Sequence, residues 1–206
     1  MKVVVCVKQI PDPASPYTLE ADSHWLVRPS EQVLDDGDRY GVEMGLQLAQ
    51  AHEGTVTLVS MGPAGNMQGI RQALAMGADK AIVVDDSSLR GSDALTTARI
   101  LAKAIENEGF DLVIAGTEST DGYSGVVPQM IAGLLDVPAL TYATNVDLTS
   151  DSVSIHRQTD LGYDVVNAPL PALLTVTAGV VEPRYPTFKG IMEAKKKPVE
   201  TLSISD

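Results

Sequence analysis

A single cysteine in 206 residues excludes an internal disulfide, so packing alone must hold the fold. That cysteine, Cys6, sits in the apolar run Val3 to Val7, where a buried thiol is the expected role and a reducing compartment the expected setting. Basic residues are also short: 15 Lys and Arg against 27 Asp and Glu leave a net charge of −12. A chain so poor in cations cannot displace many counterions from nucleic-acid phosphates, which argues against nucleic acid as a partner. Long apolar runs are missing too. The stretch after Lys2 ends at Lys8, too short to span a membrane and without a small-residue cleavage site, so no membrane insertion and a cytoplasmic location are expected.

Catalytic signatures are equally scarce. His24, His52 and His156 lie too far apart for metal-ligand spacing, and there is no Gly-x-Ser-x-Gly elbow, Gly-x-Gly-x-x-Gly fingerprint or Gly-Lys-Ser/Thr P-loop. Asp35, Asp36 and Asp38 could form a metal site, but acidic residues opening a helix are better explained by the helix dipole. The expectation is a chain with no catalytic residue and no metal ligand of its own.

What is present is a core and a rhythm. Apolar residues make up 44% of the chain, enough for one large domain. The runs Val3 to Val7, Val56 to Ser60, Lys80 to Val84 and Leu112 to Ala115 read as buried strands. Helical stretches separate them, at about Asp38 to Ala51, Asn66 to Met76 and Ser92 to Glu108, and a fourth runs from near Ser124 to Pro138. Alternating strands and helices imply right-handed crossovers and a parallel α/β sheet. Beyond about residue 140, Thr144 to Leu148, Val153 to Arg157, Tyr163 to Val166 and Ala172 to Thr177 read as a small antiparallel or mixed β annex. Gln9 to Gly37, with four prolines, is a long excursion of the kind that is usually functional or a hairpin. The division expected is an α/β domain over 1–183 and a distinct segment over 184–206.

Two segments draw attention as sites. In parallel α/β sheets ligands bind at the carboxyl ends of the strands, and the loop Gly116 to Gly125 leaves that edge before the fourth helix. Its small and hydroxyl residues would present amides and a helix dipole to a phosphate. From spacing alone it reads equally as a nucleotide cradle or as a turn rich in small residues, and Asp121 equally as a plain helix cap. The second segment is Tyr185 to Lys197, where Tyr185, Phe188, Ile191 and Met192 precede Lys195, Lys196 and Lys197. The lysines could merely complement a helix carboxyl end, yet apolar anchors rimmed by charge also mark transient interfaces.

Five collinear stretches then point to a family. Val7-Lys-Gln-Ile-Pro-Asp12, Ala73-Leu-Ala-Met-Gly-Ala-Asp-Lys80, Ala115-Gly-Thr-Glu-Ser-Thr-Asp-Gly122, Leu170-Pro-Ala172 and Glu182 to Lys197 together resemble the β subunit of electron transfer flavoproteins. The resemblance implies an adenine-nucleotide-binding α/β fold and a heterodimer with an α subunit that carries most of an FAD site. It also implies AMP, or a second FAD in bifurcating relatives that use NADH, held by the β subunit. Carried over by position, the nucleotide contacts would be Cys6, Asp35, Asp36, Gly37, Asp38, Met61, Glu118, Ser119, Thr120, Asp121, Gly122, Tyr123, Ser124, Gly125, Val126, Val127, Pro128 and Gln129. Partner contacts would be Tyr185, Phe188, Ile191, Met192, Lys195, Lys196 and Lys197, facing a flavin dehydrogenase such as an acyl-CoA dehydrogenase. Electrons would leave to a quinone oxidoreductase. Phe188 stands where the best-known members present leucine, and Asp35-Asp36 where many have Asn-Pro. A stand-alone adenine-nucleotide-binding stress-type module is the rival reading.

Overall fold

The computed structural model describes residues 1–206. In chain order the strands are β1 (Lys2–Cys6), β2 (Gln9–Ile10), β3 (Val33–Leu34), β4 (Thr55–Met61), β5 (Lys80–Val84), β6 (Leu112–Gly116), β7 (Ala139–Leu148), β8 (Ser152–Thr159), β9 (Gly162–Pro169), β10 (Ala172–Val176) and β11 (Val199–Leu202). The helices are α1 (Asp36–Ala51), α2 (Gln68–Met76), α3 (Ala94–Glu108), α4 (Val127–Leu135) and α5 (Phe188–Ala194). Nine strands form one sheet in the order β11-β5-β4-β1-β6-β10-β7-β8-β9. It is parallel from β11 to β7 and antiparallel through β8 and β9. No helix is long and apolar enough to cross a membrane.

The continuous apolar run of β1 makes sense because both faces of the sheet are covered. Val3 and Val5 point into a core shared with Val42 and Leu46 of α1 and Ile70 and Leu74 of α2. Val4 points the other way, into a core with Ile105 of α3 and Ile131 of α4. Helix limits follow the local chemistry. Asp93 caps α3 by accepting from the Thr96 amide at 2.7 Å, and Gly109 ends it at φ +74°. The fourth helix begins at Val127 rather than near Ser124, because Gly125 is left-handed at φ +62°. Pro128 then falls in the first turn, where a missing amide costs nothing.

The expected annex is an extension of the same sheet. Strands β7, β8 and β9 are its antiparallel part, whereas Ala172–Val176, grouped with them in the sequence reading, inserts between β6 and β7 as a parallel strand. All five of its residues are buried, and its unbroken Ala-Leu-Leu-Thr-Val run resembles β1 more than an alternating hairpin strand. Val199–Leu202, which shows no clear strand pattern, pairs with β5 at the opposite edge. Strands β2 and β3 form a separate antiparallel pair that closes the base of the proline-rich excursion.

Candidate functional site

Three chain segments meet beyond the carboxyl ends of β1 and β6. Asp35 is the link between two of them. One of its oxygens caps α1 by accepting from the Gly37 amide at 3.0 Å, and the carboxylate also accepts from the Thr120 amide at 2.6 Å and the Thr120 hydroxyl at 2.5 Å. The carboxylate is buried, so these donors replace water and fix the 116–125 loop to the start of α1. Contact is close along this line: a Cβ on Gly116 would lie 3.1 Å from Asp38 Oδ1 and 3.6 Å from the Gly37 backbone.

Asp38, in the first turn of α1, is also buried and accepts from the Lys8 amide at 2.6 Å. Burial, with Asp35 as a like-charged neighbour, pushes its carboxyl well above the usual carboxylate range. Burial and the same Asp38 raise the Cys6 thiol to about 12, which leaves the thiol inert at neutral pH. The sign for stability follows from linkage. A carboxyl raised in the folded state contributes stability at low pH, and that contribution declines as pH climbs above the ordinary Asp value of about 4 through the raised one. Asp38→Asn, which is neutral throughout, is therefore expected to gain stability relative to the parent chain as pH rises from about 4 to 8. Chemical denaturation across that range checks it, and parallel curves for the two proteins would refute it.

Lys8 and Arg28 supply what the sequence reading missed. Lys8 Nζ donates to Asp121 Oδ1 at 2.6 Å and to Ser119 Oγ at 3.2 Å, while Arg28 Nη2 pairs with Asp121 Oδ2 at 2.5 Å. Asp121 is thus no helix cap. Burial alone would raise its carboxyl, but the two cations outweigh that and hold it below the usual range. Lys8 lies two residues past the end of β1 at the ligand-binding edge, a usable signal. Arg28 lies 93 residues from Asp121 in an irregular segment, and nothing in the sequence pairs them.

Past Asp121 the loop opens. The amides of Ser124, Gly125, Val126 and Val127 donate to no protein group, and the first bond of the new helix runs from the Met130 amide to the Val126 carbonyl. Gln129 Oε1 is buried without a partner. Tyr123, at φ +49°, is well exposed. Cys6, Met61, Val127 and Met130 pack around the same core under this edge, so Met61 and the start of α4 share a sheet face with Cys6. Met61 also borders a cleft of about 940 Å³ lined by the ends of β4 and β5, by Trp25 and Arg28 of the excursion, and by Arg90 after β5. The structure therefore gathers Cys6, Asp35 to Asp38, Met61 and Glu118 to Gln129 along one sheet edge.

The second candidate segment lies elsewhere, on α2. Thr187 caps α5 by accepting from the Gly190 amide at 3.0 Å. A Cβ at Gly190 would sit 2.6 Å from the Ala75 carbonyl oxygen, so glycine is what lets α5 lie against α2. Arg184 forks onto the buried Glu43 of α1 with bonds of 2.7 and 2.9 Å. Burial works against the Glu43 charge, but the bonds from Arg184 and Gln47 win and hold its carboxyl below the usual range. Arg71 donates to the Ala194 and Lys197 carbonyls at 2.6 and 2.9 Å. On this fixed base Tyr185 and Phe188 are 84% and 82% exposed, with Ile191 and Met192 half exposed beside them. The three lysines divide. Lys195 and Lys196 face solvent, whereas Lys197 turns inward and donates to the Leu74 and Ala78 carbonyls at 3.1 and 2.7 Å, satisfying the end of α2.

The class follows from comparison with known proteins: a family model described as the electron transfer flavoprotein domain matches residues 24–206. The electron transfer flavoprotein subunit beta of Mycobacterium tuberculosis is 42% identical over 211 residues, covering 99% of this chain and 79% of the relative. That of Megasphaera elsdenii is 35% identical over 211 residues, covering 98% and 78%. The caffeyl-CoA reductase-Etf complex subunit CarD of Acetobacterium woodii is 33% identical over 209 residues, covering 100% and 79%. The chain belongs to the electron transfer flavoprotein β-subunit family.

Proposed function

We propose that this chain is the β subunit of a heterodimeric electron transfer flavoprotein. It accepts electrons from flavin dehydrogenases, such as acyl-CoA dehydrogenases, and delivers them to a quinone oxidoreductase or similar acceptor. FAD, held mainly by the α subunit, supplies the redox chemistry; this chain's part is docking, orientation and local electrostatics. The observation that carries the reading is the α5 segment. A short helix presenting Tyr185, Phe188, Ile191 and Met192 to solvent, yet fastened by Arg184, Arg71 and Lys197, is built to meet a partner. A stand-alone stress-type module has no use for such a surface. With Cys6 as a partly buried free thiol, the cytoplasm is the compartment this reading takes.

AMP is the nucleotide assigned to the sheet edge. Unpaired amides from Ser124 to Val127 suit a phosphate, and the orphaned Gln129 Oε1 suits a donor such as an amine or ribose hydroxyl. Cys6 through its backbone, Asp35 to Asp38, Met61 and Glu118 to Gln129 would hold it. The likeness to a caffeyl-CoA reductase-Etf complex subunit favours one second reading, in which the β-held nucleotide is FAD and NADH is the donor. Reconstitution tests the assignment: the isolated chain is expected to retain little FAD, and addition of the α subunit to yield a 1:1 complex with tightly held flavin. A flavin-free homodimer indifferent to the α subunit would refute it.

A further inference from the structure

Two cations serve one carboxylate at the loop. The Asp121 side chain is fully buried, while those of Lys8 and Arg28 are 37% and 35% exposed, so each cation shows a solvent-facing side next to Asp121. On a chain of net charge −12, a pair of cations converging under one loop is unusual. Neither is spent. Arg28 uses one of its five N–H donors on Asp121, and Lys8 uses two of its three, on Asp121 and Ser119. Lys8 Nζ lies 3.8 Å from the place a Cβ on Gly122 would take, directly beneath the turn that leads to the unpaired amides of Ser124 to Val127.

We propose that Lys8 and Arg28 are phosphate-recognising residues of this site, which make it select nucleoside phosphates over nucleosides, with Asp121 as the internal anion that holds both cations in place. This rests on the nucleotide reading given above and deepens it. Amides and a helix dipole alone offer partial charges; a full cation with free donors discriminates an ionised phosphate from a neutral hydroxyl far more sharply. Of the other buried carboxylates in the loop cluster, Asp35 is satisfied by Gly37 and Thr120, and Asp38 takes the Lys8 backbone amide rather than its ammonium. The exposed Glu118, whose Oε2 lies near Gly125, must turn outward when a phosphate is bound.

The test is calorimetric titration of the nucleotide-stripped heterodimer with AMP and, separately, with adenosine, read as the ratio of the two affinities. Arg28→Met and Lys8→Met are each expected to lower that ratio by about tenfold. Arg28→Lys should restore part of it. Asp121→Asn, which removes the competing charge, should raise the ratio even if a looser loop weakens both ligands together. A purely structural strap would give the opposite pattern, with AMP and adenosine losing affinity equally and the ratio constant in every variant; that result overturns the inference. A parent complex that takes up neither ligand instead overturns the nucleotide reading on which it rests.

Discussion

Alanine at position 188 is expected to slow electron acceptance from the partner dehydrogenase about thirtyfold at subsaturating concentration, while leaving melting temperature and nucleotide content unchanged. Phe188 is 82% exposed on α5, so the free protein loses almost no packing when its ring is removed. If α5 docks a dehydrogenase as proposed, the same ring would be an anchor, and truncating an interface anchor costs about 2 kcal/mol or more, roughly thirtyfold in affinity. The helix that carries it should stay in place, because its position depends on Thr187, Gly190, Arg71 and Ala194 rather than on Phe188. Lys195→Ala and Lys196→Ala should have smaller effects that fade with salt, as expected of rim charges. Lys197→Ala should instead lower stability, since its ammonium serves the Leu74 carbonyl of α2 and the Ala78 carbonyl just beyond it. Unchanged transfer in Phe188→Ala, measured against dehydrogenase concentration, would remove the docking role from this segment.

Removing the Asp35 carboxylate is expected to damage both fold and site. Asp35→Ala abolishes the α1 cap, which costs about 1 kcal/mol, and leaves the Thr120 amide without its acceptor at about 1–3 kcal/mol more. A loss of about 2–4 kcal/mol corresponds to roughly 5–15 °C in melting temperature for a chain of this size. The loop that carries the unpaired amides would also lose its tether to α1, so retained nucleotide should fall with stability. Asp35→Asn keeps an acceptor for the cap and should cost less. Thermal melting with nucleotide assay of the purified variants checks this, and a normal melting temperature for Asp35→Ala would contradict the tether.

How much of the fold and site is legible in the sequence depends on distance along the chain. The β1, β4, β5 and β6 strands, each a local apolar run, and the caps of α3 are short-range signals, and they were legible. The loop before α4 was legible as a place because a strand end and a helix start frame it. Its electrostatics were not. Arg28 reaches Asp121, and Arg184 reaches Glu43, across separations of 93 and 141 residues, and no periodicity encodes such pairs. The same limit explains the fate of Ala172–Val176. Its neighbours in sequence are hairpin strands, while its neighbours in space, β6 and β7, are fixed by burial on both faces. Lys197 is a further case: one residue in a uniform Lys-Lys-Lys run is singled out by the position of the α2 carboxyl end, which composition does not reveal.

As proposed, this chain would form the nucleotide-holding, partner-docking half of an electron transfer heterodimer. Extraction and chromatographic identification of the nucleotides from the purified wild-type complex tests it most directly. One FAD and one AMP per heterodimer are expected. Two FAD and no AMP would select the second, NADH-linked reading. A chain that purifies by itself without adenine nucleotide or flavin, and acquires neither when the α subunit is supplied, would contradict the account.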